Sequence, residues 1–457
     1  MLLTQIQHIM RFSTALSCAF TALLAVPAMA APFAITPGDA NHVILTDDNT
    51  VNTTESIQAD AVAVAASRPP VNMFATADSD YIELSFVNNM ASSNVKAYVT
   101  GRDSNNALVM LYPNGTWYYP PATTATTPQP VTEDVAIPLG AQGSTVSISL
   151  PGYISAGRIW FADGNLQFFT VNAGGQVALV EPSAVNPSDP SAAVNWGFIE
   201  LTYLESAIYT NLSYVDFVGL PLGQKLTACD GTVQQALGVY SDAVEEICAD
   251  LEQQTCIDGY PWADLCAYDA SSNALRVLAP YDYISLYPDA FSDYWTSYVD
   301  DVWTHYSTTP LTIDTQVSAG LVNCTTTGDY LNCAGDNRAY AKPTAADIFG
   351  CNGGPFAIES SDNDIHRAVV PRLCAAFHRS TLLISGGNIQ PMSDVSGYYT
   401  KSGRAANWYS KYVHDYEADG KGYAFAYDDV TPTGGVDMAG LLSVAQPSQL
   451  LVTVGGV

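Results

Sequence analysis

All eight cysteines that would survive removal of an export signal lie between Cys229 and Cys374, and none lies in the first half of the chain. Hydrophobic periodicity changes at the same point. Before Cys229 short stretches alternate apolar and polar residues: 81–87, 95–99, 108–112, 145–150, 157–162, 166–171, 198–203 and 208–218. Such runs, separated by turn residues, predict an antiparallel sandwich or barrel. After Cys229 the period becomes helical. Asp242 and Glu245 have capping-box spacing, and Val244, Ile247, Cys248 and Leu251 share one face. Tyr294, Tyr298, Val302 and Tyr306 step by four and predict a helix over 292–306, and Pro371 suits the first turn of a third. Strand character returns at 422–427 and 450–454. The fold class expected is therefore mainly β, an antiparallel sandwich or barrel with an inserted disulfide-rich mixed α/β domain at 229–420. The β part spans 79–228 and is completed by 421–457.

The N-terminus reads as a signal peptide over residues 1–30. Arg11 precedes an apolar run from Ala15 to Val26, and Ala28-Met29-Ala30 is a small-x-small cleavage pattern. The run is too short to span a bilayer, and no later one is long enough. Secretion agrees with the even cysteine number, which implies four disulfides. Nearest-neighbour pairing would join Cys229 to Cys248, Cys256 to Cys266, Cys324 to Cys333 and Cys351 to Cys374. Sequons at Asn52, Asn114, Asn211 and Asn323 fit the same route. Residues 31–78, rich in Ala, Thr, Asn and Asp, read as a loosely ordered leader.

Acidic residues outnumber basic ones 45 to 16, a formal charge of −29. That field repels phosphate backbones and anionic membranes, so neither nucleic acid nor membrane is an expected partner. A neutral polymer meets no such penalty, and the acids also serve plain solubility.

The search for chemistry narrows by elimination. No Gly-x-Ser-x-Gly elbow, His-Glu-x-x-His helix, phosphate loop or dinucleotide fingerprint occurs. Close Cys or His pairs of zinc-binding spacing are also missing, so no metal and no cofactor are expected. Histidines are scattered and read as surface or core residues. Carboxylates remain, and glycoside hydrolysis needs only two of them. Strand alternation puts Trp196, Phe198, Glu200 and Thr202 on one face, so Glu200 sits among aromatics. Asp216 lies between Val215 and Phe217 on the expected partner strand. A structural acid satisfied by backbone donors fits these positions as well as a catalyst does.

The stretch from Gly175 to Leu222 resembles glycoside hydrolase family 64, the laminaripentaose-producing β-1,3-glucanases, and more distantly the thaumatin-like proteins. The segments that carry the resemblance are Leu179–Ser183, Asn186–Pro190, Asn195–Phe198 with Glu200, and Ser213–Val218, followed by Lys342–Phe349 and Gly422–Val430. Similarity runs over roughly residues 79–456. It implies a thaumatin-like barrel beside a mixed α/β domain, with β-1,3-glucan in a groove between them. It also implies inversion at the anomeric carbon, with Glu200 as general acid and Asp216 as general base. A poorly solvated Glu200 would hold its proton to higher pH.

Trp196, Thr202 and Tyr209 are candidate substrate-binding residues, each also compatible with strand packing. Glu181 reads as structural, and Asp428 and Asp429 as a turn or solvated edge. The aromatic groups at 117–119 and 295–303 are possible sugar platforms, the second having core spacing. The function expected is a secreted, extracellular, monomeric endo-glucanase releasing short laminari-oligosaccharides, with association to a cell wall open. The competing reading is a non-catalytic thaumatin-like β-glucan-binding protein.

Overall fold

A computed structural model describes residues 33–46, 49–51, 82–399, 404–435 and 437–457. The expected signal peptide and residues 52–78 of the leader lie outside the described residues.

Alternating valine, isoleucine and aromatic residues build the strands. They are Glu83–Asn88 (β1), Val95–Arg102 (β2), Leu108–Leu111 (β3), Trp117–Tyr118 (β4), Thr145–Ser149 (β5), Ile154–Asp163 (β6), Gln176–Val180 (β7), Asn195–Tyr203 (β8) and Ile208–Leu212 (β9). They continue as Phe217–Val218 (β10), Leu222–Ala228 (β11), Val233–Ala236 (β12), Ala274–Leu278 (β13), Leu442–Val444 (β14) and Pro447–Val454 (β15). An eight-stranded sheet runs β14-β9-β8-β6-β2-β3-β4, with Ile137–Pro138 also on β2. A five-stranded sheet runs β12-β11-β15-β1-β5. Its last strand in sequence, β15, lies parallel to its first, β1.

One face of each sheet closes on the other. Val99, Ile159, Phe161, Ile199 and Leu201 from the larger meet Leu84, Phe86, Leu226, Leu450 and Val452 from the smaller in one buried cluster. Phe86 and Phe161 meet edge to face at 5.1 Å across the gap. Burying side chains of this size contributes roughly 1.5–3 kcal/mol each, and the period-two pattern commits every second residue to that core.

The cysteine-rich region is mixed, as expected, but several details differ. Helix α1 runs Ala243–Asp258 and buries Val244, Ile247, Cys248 and Leu251. Asp242 precedes it without a side-chain capping bond, so the capping-box spacing is not used. Helix α2, Thr296–Tyr306, buries Tyr298, Val302 and Tyr306. Helix α3, Asp364–His378, starts well before Pro371, capped by Asn363 on the His366 N–H, which leaves the proline in its interior. Among the described residues, disulfides join Cys248 to Cys266, Cys324 to Cys333 and Cys351 to Cys374. Nearest-neighbour pairing fails for the first four cysteines: Cys229 is free and exposed, and Cys248 takes the partner expected for Cys256. The helix presents Cys248 inward to Cys266, while Cys229 lies at the end of β11.

Part of the expected leader is held in place. Phe33–Ala34 pairs in parallel with Cys266–Tyr268, and Thr50–Val51 pairs with β7. Thr36 and Gly38 donate to Pro187 and Ser188 carbonyls. Residues 422–427, expected as a strand, contribute only an isolated bridge from Tyr423 to Ser213 before the chain turns.

Candidate active site

The outer face of the large sheet is apolar at one end and polar at the other. Trp196 and Phe198 on β8 join Trp160, Phe168 and Phe217 in a second buried cluster. Two residues on, the same face opens at Glu200, whose side chain is 40% exposed. Thr202 follows, half-buried, and pairs with Tyr209 on β9. Alternation therefore places Glu200, Thr202 and Tyr209 on one face. Trp196 is different: at 1% exposure, and 4.6 Å from Phe217, it offers no ring face to a ligand. It anchors the floor of the site instead.

Register lines up four polar residues across neighbouring strands. Asn211 on β9 lies opposite Glu200 on β8, Glu200 opposite Arg158 on β6, and Arg158 opposite Thr100 on β2. Asn211 Nδ2 donates to Glu200 Oε2 at 3.2 Å, and Arg158 Nη2 lies 3.5 Å from Glu200 Oε1. Arg158 Nη1 donates at 2.6 Å to Glu181, which is buried and also accepts from Thr100 Oγ1 at 3.5 Å. The guanidinium rests over the Phe198 ring at 4.6 Å, which fixes its plane. Glu200 thus has a cation and open solvent beside it, with the aromatics beneath. The expectation of a poorly solvated carboxyl among aromatics is not met, because Glu200 is 40% exposed and Arg158 lies beside it.

Asp216 is not on the strand that carries Tyr209. That strand stops at Leu212, and the chain leaves the sheet through Ser213–Asp216. It then enters β10, which pairs with β13 in a different sheet. Ala279 N–H donates to the Asp216 carbonyl at 2.8 Å. Asp216 is therefore positioned by a turn and not by an offset along the β8–β9 ladder. Its charge reaches the same guanidinium. Burial alone would lower the Arg158 pKa, but Glu181, Glu200 and Asp216 together hold it above its ordinary value. Burial pushes Glu181 upward, with Arg158 opposing.

Arg158 is the residue that sequence reasoning passed over. The signal was available: a basic residue inside an apolar strand, beside Trp160, in a chain with only 16 Lys and Arg. Glu181 is its buried partner, in line with a structural role. Asp428 lies in a turn, as expected, but at 1% exposure and ion-paired it is no solvated edge. Trp295 and Trp303 are buried core residues, whereas Tyr119 is 51% exposed. Among the described residues, Cys351, Cys374 and His378 cluster closely enough to hold a metal ion, and both sulfurs are in a disulfide.

Residues 80–454 match the family model described as β-1,3-glucanase, glycoside hydrolase 64. The chain belongs to glycoside hydrolase family 64. Two curated relatives, both glucan endo-1,3-β-glucosidases, come from Cellulosimicrobium cellulans and Arthrobacter sp. (strain YCWD3). They are 27% identical over 297 and 296 residues, 63% of this chain and 50% of each relative. The match therefore spans about half the length of those proteins. Among solved structures, a laminaripentaose-producing β-1,3-glucanase in complex with laminaritetraose superposes with a TM-score of 0.71 at 24% identity, covering 82% of this chain and 99% of that one. A family 64 domain from Clostridium beijerinckii gives 0.62 at 20% identity, covering 85% and 100%. At these identities the likeness establishes the family 64 fold.

Proposed function

We propose that this chain hydrolyses internal linkages of β-1,3-glucan by an inverting mechanism, with Glu200 as general acid and Asp216 as general base. The observation that carries the reading is the electrostatic grouping of Glu200 and Asp216 about Arg158, at the open end of an aromatic floor, in a family 64 chain. Glu200 gives its proton to the glycosidic oxygen as the C1–O bond breaks. Asp216 takes a proton from a water whose oxygen bonds to C1 from the opposite face, and solvent exchange then resets both groups. Inversion of this kind needs the carboxyls about 6.5–9.5 Å apart so that one water fits between them.

Thr202 and Tyr209, on the same face, offer a hydroxyl and a ring to adjacent sugars. The protein is exported through its N-terminal signal, acts as a monomer outside the cell and releases short laminari-oligosaccharides. The 229–420 segment forms the second wall of the groove, a division supported by β15 completing the sheet that β1 begins.

Product analysis of the mature protein on linear β-1,3-glucan, beside Glu200→Gln and Asp216→Asn, tests this. Short products that appear first as the α-anomer, with losses of several orders of magnitude in both variants, support the enzyme. Glucan binding without cleavage replaces it with a recognition protein.

A further inference from the structure

The segment Ser213–Asp216 lies outside the named strands, yet Asp216 must be presented accurately if it is to activate water. Its main chain is held from the C-terminal region. Tyr214 N–H donates to the Tyr423 carbonyl at 2.7 Å, and Tyr423 N–H donates to the Leu212 carbonyl at 3.0 Å. Tyr409, on the helix Trp408–Asp415 (α4), donates its hydroxyl to the Tyr214 carbonyl at 2.6 Å. Asp216 is close enough for its charge to act on that same tyrosine.

Behind these contacts stands a buried file of alternating charges. His414, also on α4, places Nδ1 2.8 Å from Glu417 and Nε2 2.9 Å from Asp428. Two carboxylates on the two ring nitrogens make both nitrogens donors, so the ring is an imidazolium. The other Asp428 oxygen lies 2.9 Å from Arg379, which also donates to the carbonyls of Asp428 and Val430. Asp428 Oδ2 accepts the Ala424 N–H at 2.9 Å and so fixes the residue next to Tyr423. Glu417 and the Tyr214 ring both crowd Gly422, where a Cβ would collide with each. Burying four charged groups costs far more than an apolar core of the same volume. What the arrangement provides is directional restraint on residues 422–424.

We propose that Tyr409, His414 and Asp428 are positioning residues for the reaction. His414 and Asp428 fix Tyr423–Ala424, and through it the backbone of Ser213–Asp216, while Tyr409 holds the Tyr214 carbonyl directly, so that Asp216 sits where the attacking water must be held. This role rests on Asp216 being the base.

The test is a double-mutant cycle in the full chain. Tyr409→Phe, His414→Gln and Asp428→Asn are each made alone and on Asp216→Asn, with folding checked by circular dichroism. The substrate is linear β-1,3-glucan. Each single variant is expected to lose at least tenfold in kcat with KM changed less than twofold. On the Asp216→Asn background the same change should alter the residual kcat less than twofold, because the group being positioned is gone. Equal losses in both backgrounds, or folded single variants with wild-type kcat, overturn the positioning role while Asp216 stands. If the buried charge variants do not fold, Tyr409→Phe, which deletes one hydroxyl, carries the same expectation. An Asp216→Asn protein with wild-type activity overturns the underlying reading and the positioning role with it.

Discussion

The guanidinium of Arg158 reaches two glutamates at once, with Nη1 2.6 Å from buried Glu181 and Nη2 3.5 Å from half-open Glu200. The first contact is a buried pair that needs the cation for stability. The second places the same cation beside the candidate acid. Stability and activity at this position are therefore separable.

Arg158→Met leaves the Glu181 carboxylate, 2% exposed, without its partner. Removing one member of a buried pair costs about 3–5 kcal/mol. Urea denaturation should register that loss, and Arg158→Met with Glu181→Leu should recover most of it. Activity on β-1,3-glucan should stay low in both variants, because neither restores the cation at Glu200.

Asn211→Ala removes the 3.2 Å donor to Glu200 from a half-buried strand position. A hydrogen bond to a charged group contributes roughly 1.5–3 kcal/mol, so kcat should fall at least tenfold with little change in melting temperature. Asn211 is also a sequon, and a glycan there would fill the site. Peptide mapping of protein made in a glycosylating host should find sugar at exposed Asn114 and Asn323, and active protein should carry none at Asn211.

Two buried histidines set opposite limits on pH stability. Burial lowers the His378 pKa to about 4. Its ring is satisfied when neutral, Nε2 donating to the Ile348 carbonyl at 2.7 Å and Nδ1 accepting from Asn407 at 2.9 Å. A depressed histidine takes up its proton first in the unfolded chain, so stability falls as pH drops from about 6.5 toward 4. His414 is the reverse. Burial alone would lower it, but Glu417 and Asp428 raise it to about 10, and its contribution, full below 6.5, is lost as pH rises from there through about 10. Melting temperature against pH should show both slopes, the acid one flattened in His378→Gln and the alkaline one in His414→Gln.

Cys248–Cys266 closes a loop of sequence separation 18 and ties α1 to the strand below it. Chain entropy assigns such a crosslink about 3 kcal/mol. Replacing both cysteines by alanine should lower stability by that order in guanidinium titration. Cys229→Ser, by contrast, should be neutral, since Cys229 is free and exposed.

Much of this site was legible along the chain because strand periodicity is local. The alternation from Trp196 to Thr202 put Glu200 on the correct face, and β8 shows that face running from closed to open. The same reasoning failed at Asp216, since nothing in the run from Ile208 to Val218 marks the exchange of one sheet for another. Trp196 was misplaced for a related reason. Alternation assigns a face but not its depth, and depth depends on Phe217 and Trp160 arriving from distant segments. His414 and Asp428 carried no local signal at all, because their pairing needs α4 packed against the turn at 424–428.

Taken alone, then, the sequence determined the β class, the helical faces around Cys248 and Tyr298, the family and the strand face on which Glu200 stands. Each of these depends on side chains a few residues apart, whose relative directions the backbone period dictates. Tertiary structure alone decided which cation stands beside Glu200, how the first cysteines pair, and what holds the turn bearing Asp216. Those outcomes join residues far apart in the chain, as Tyr409 joins Tyr214. Their contact depends on how whole sheets and helices pack, which no short-range pattern encodes.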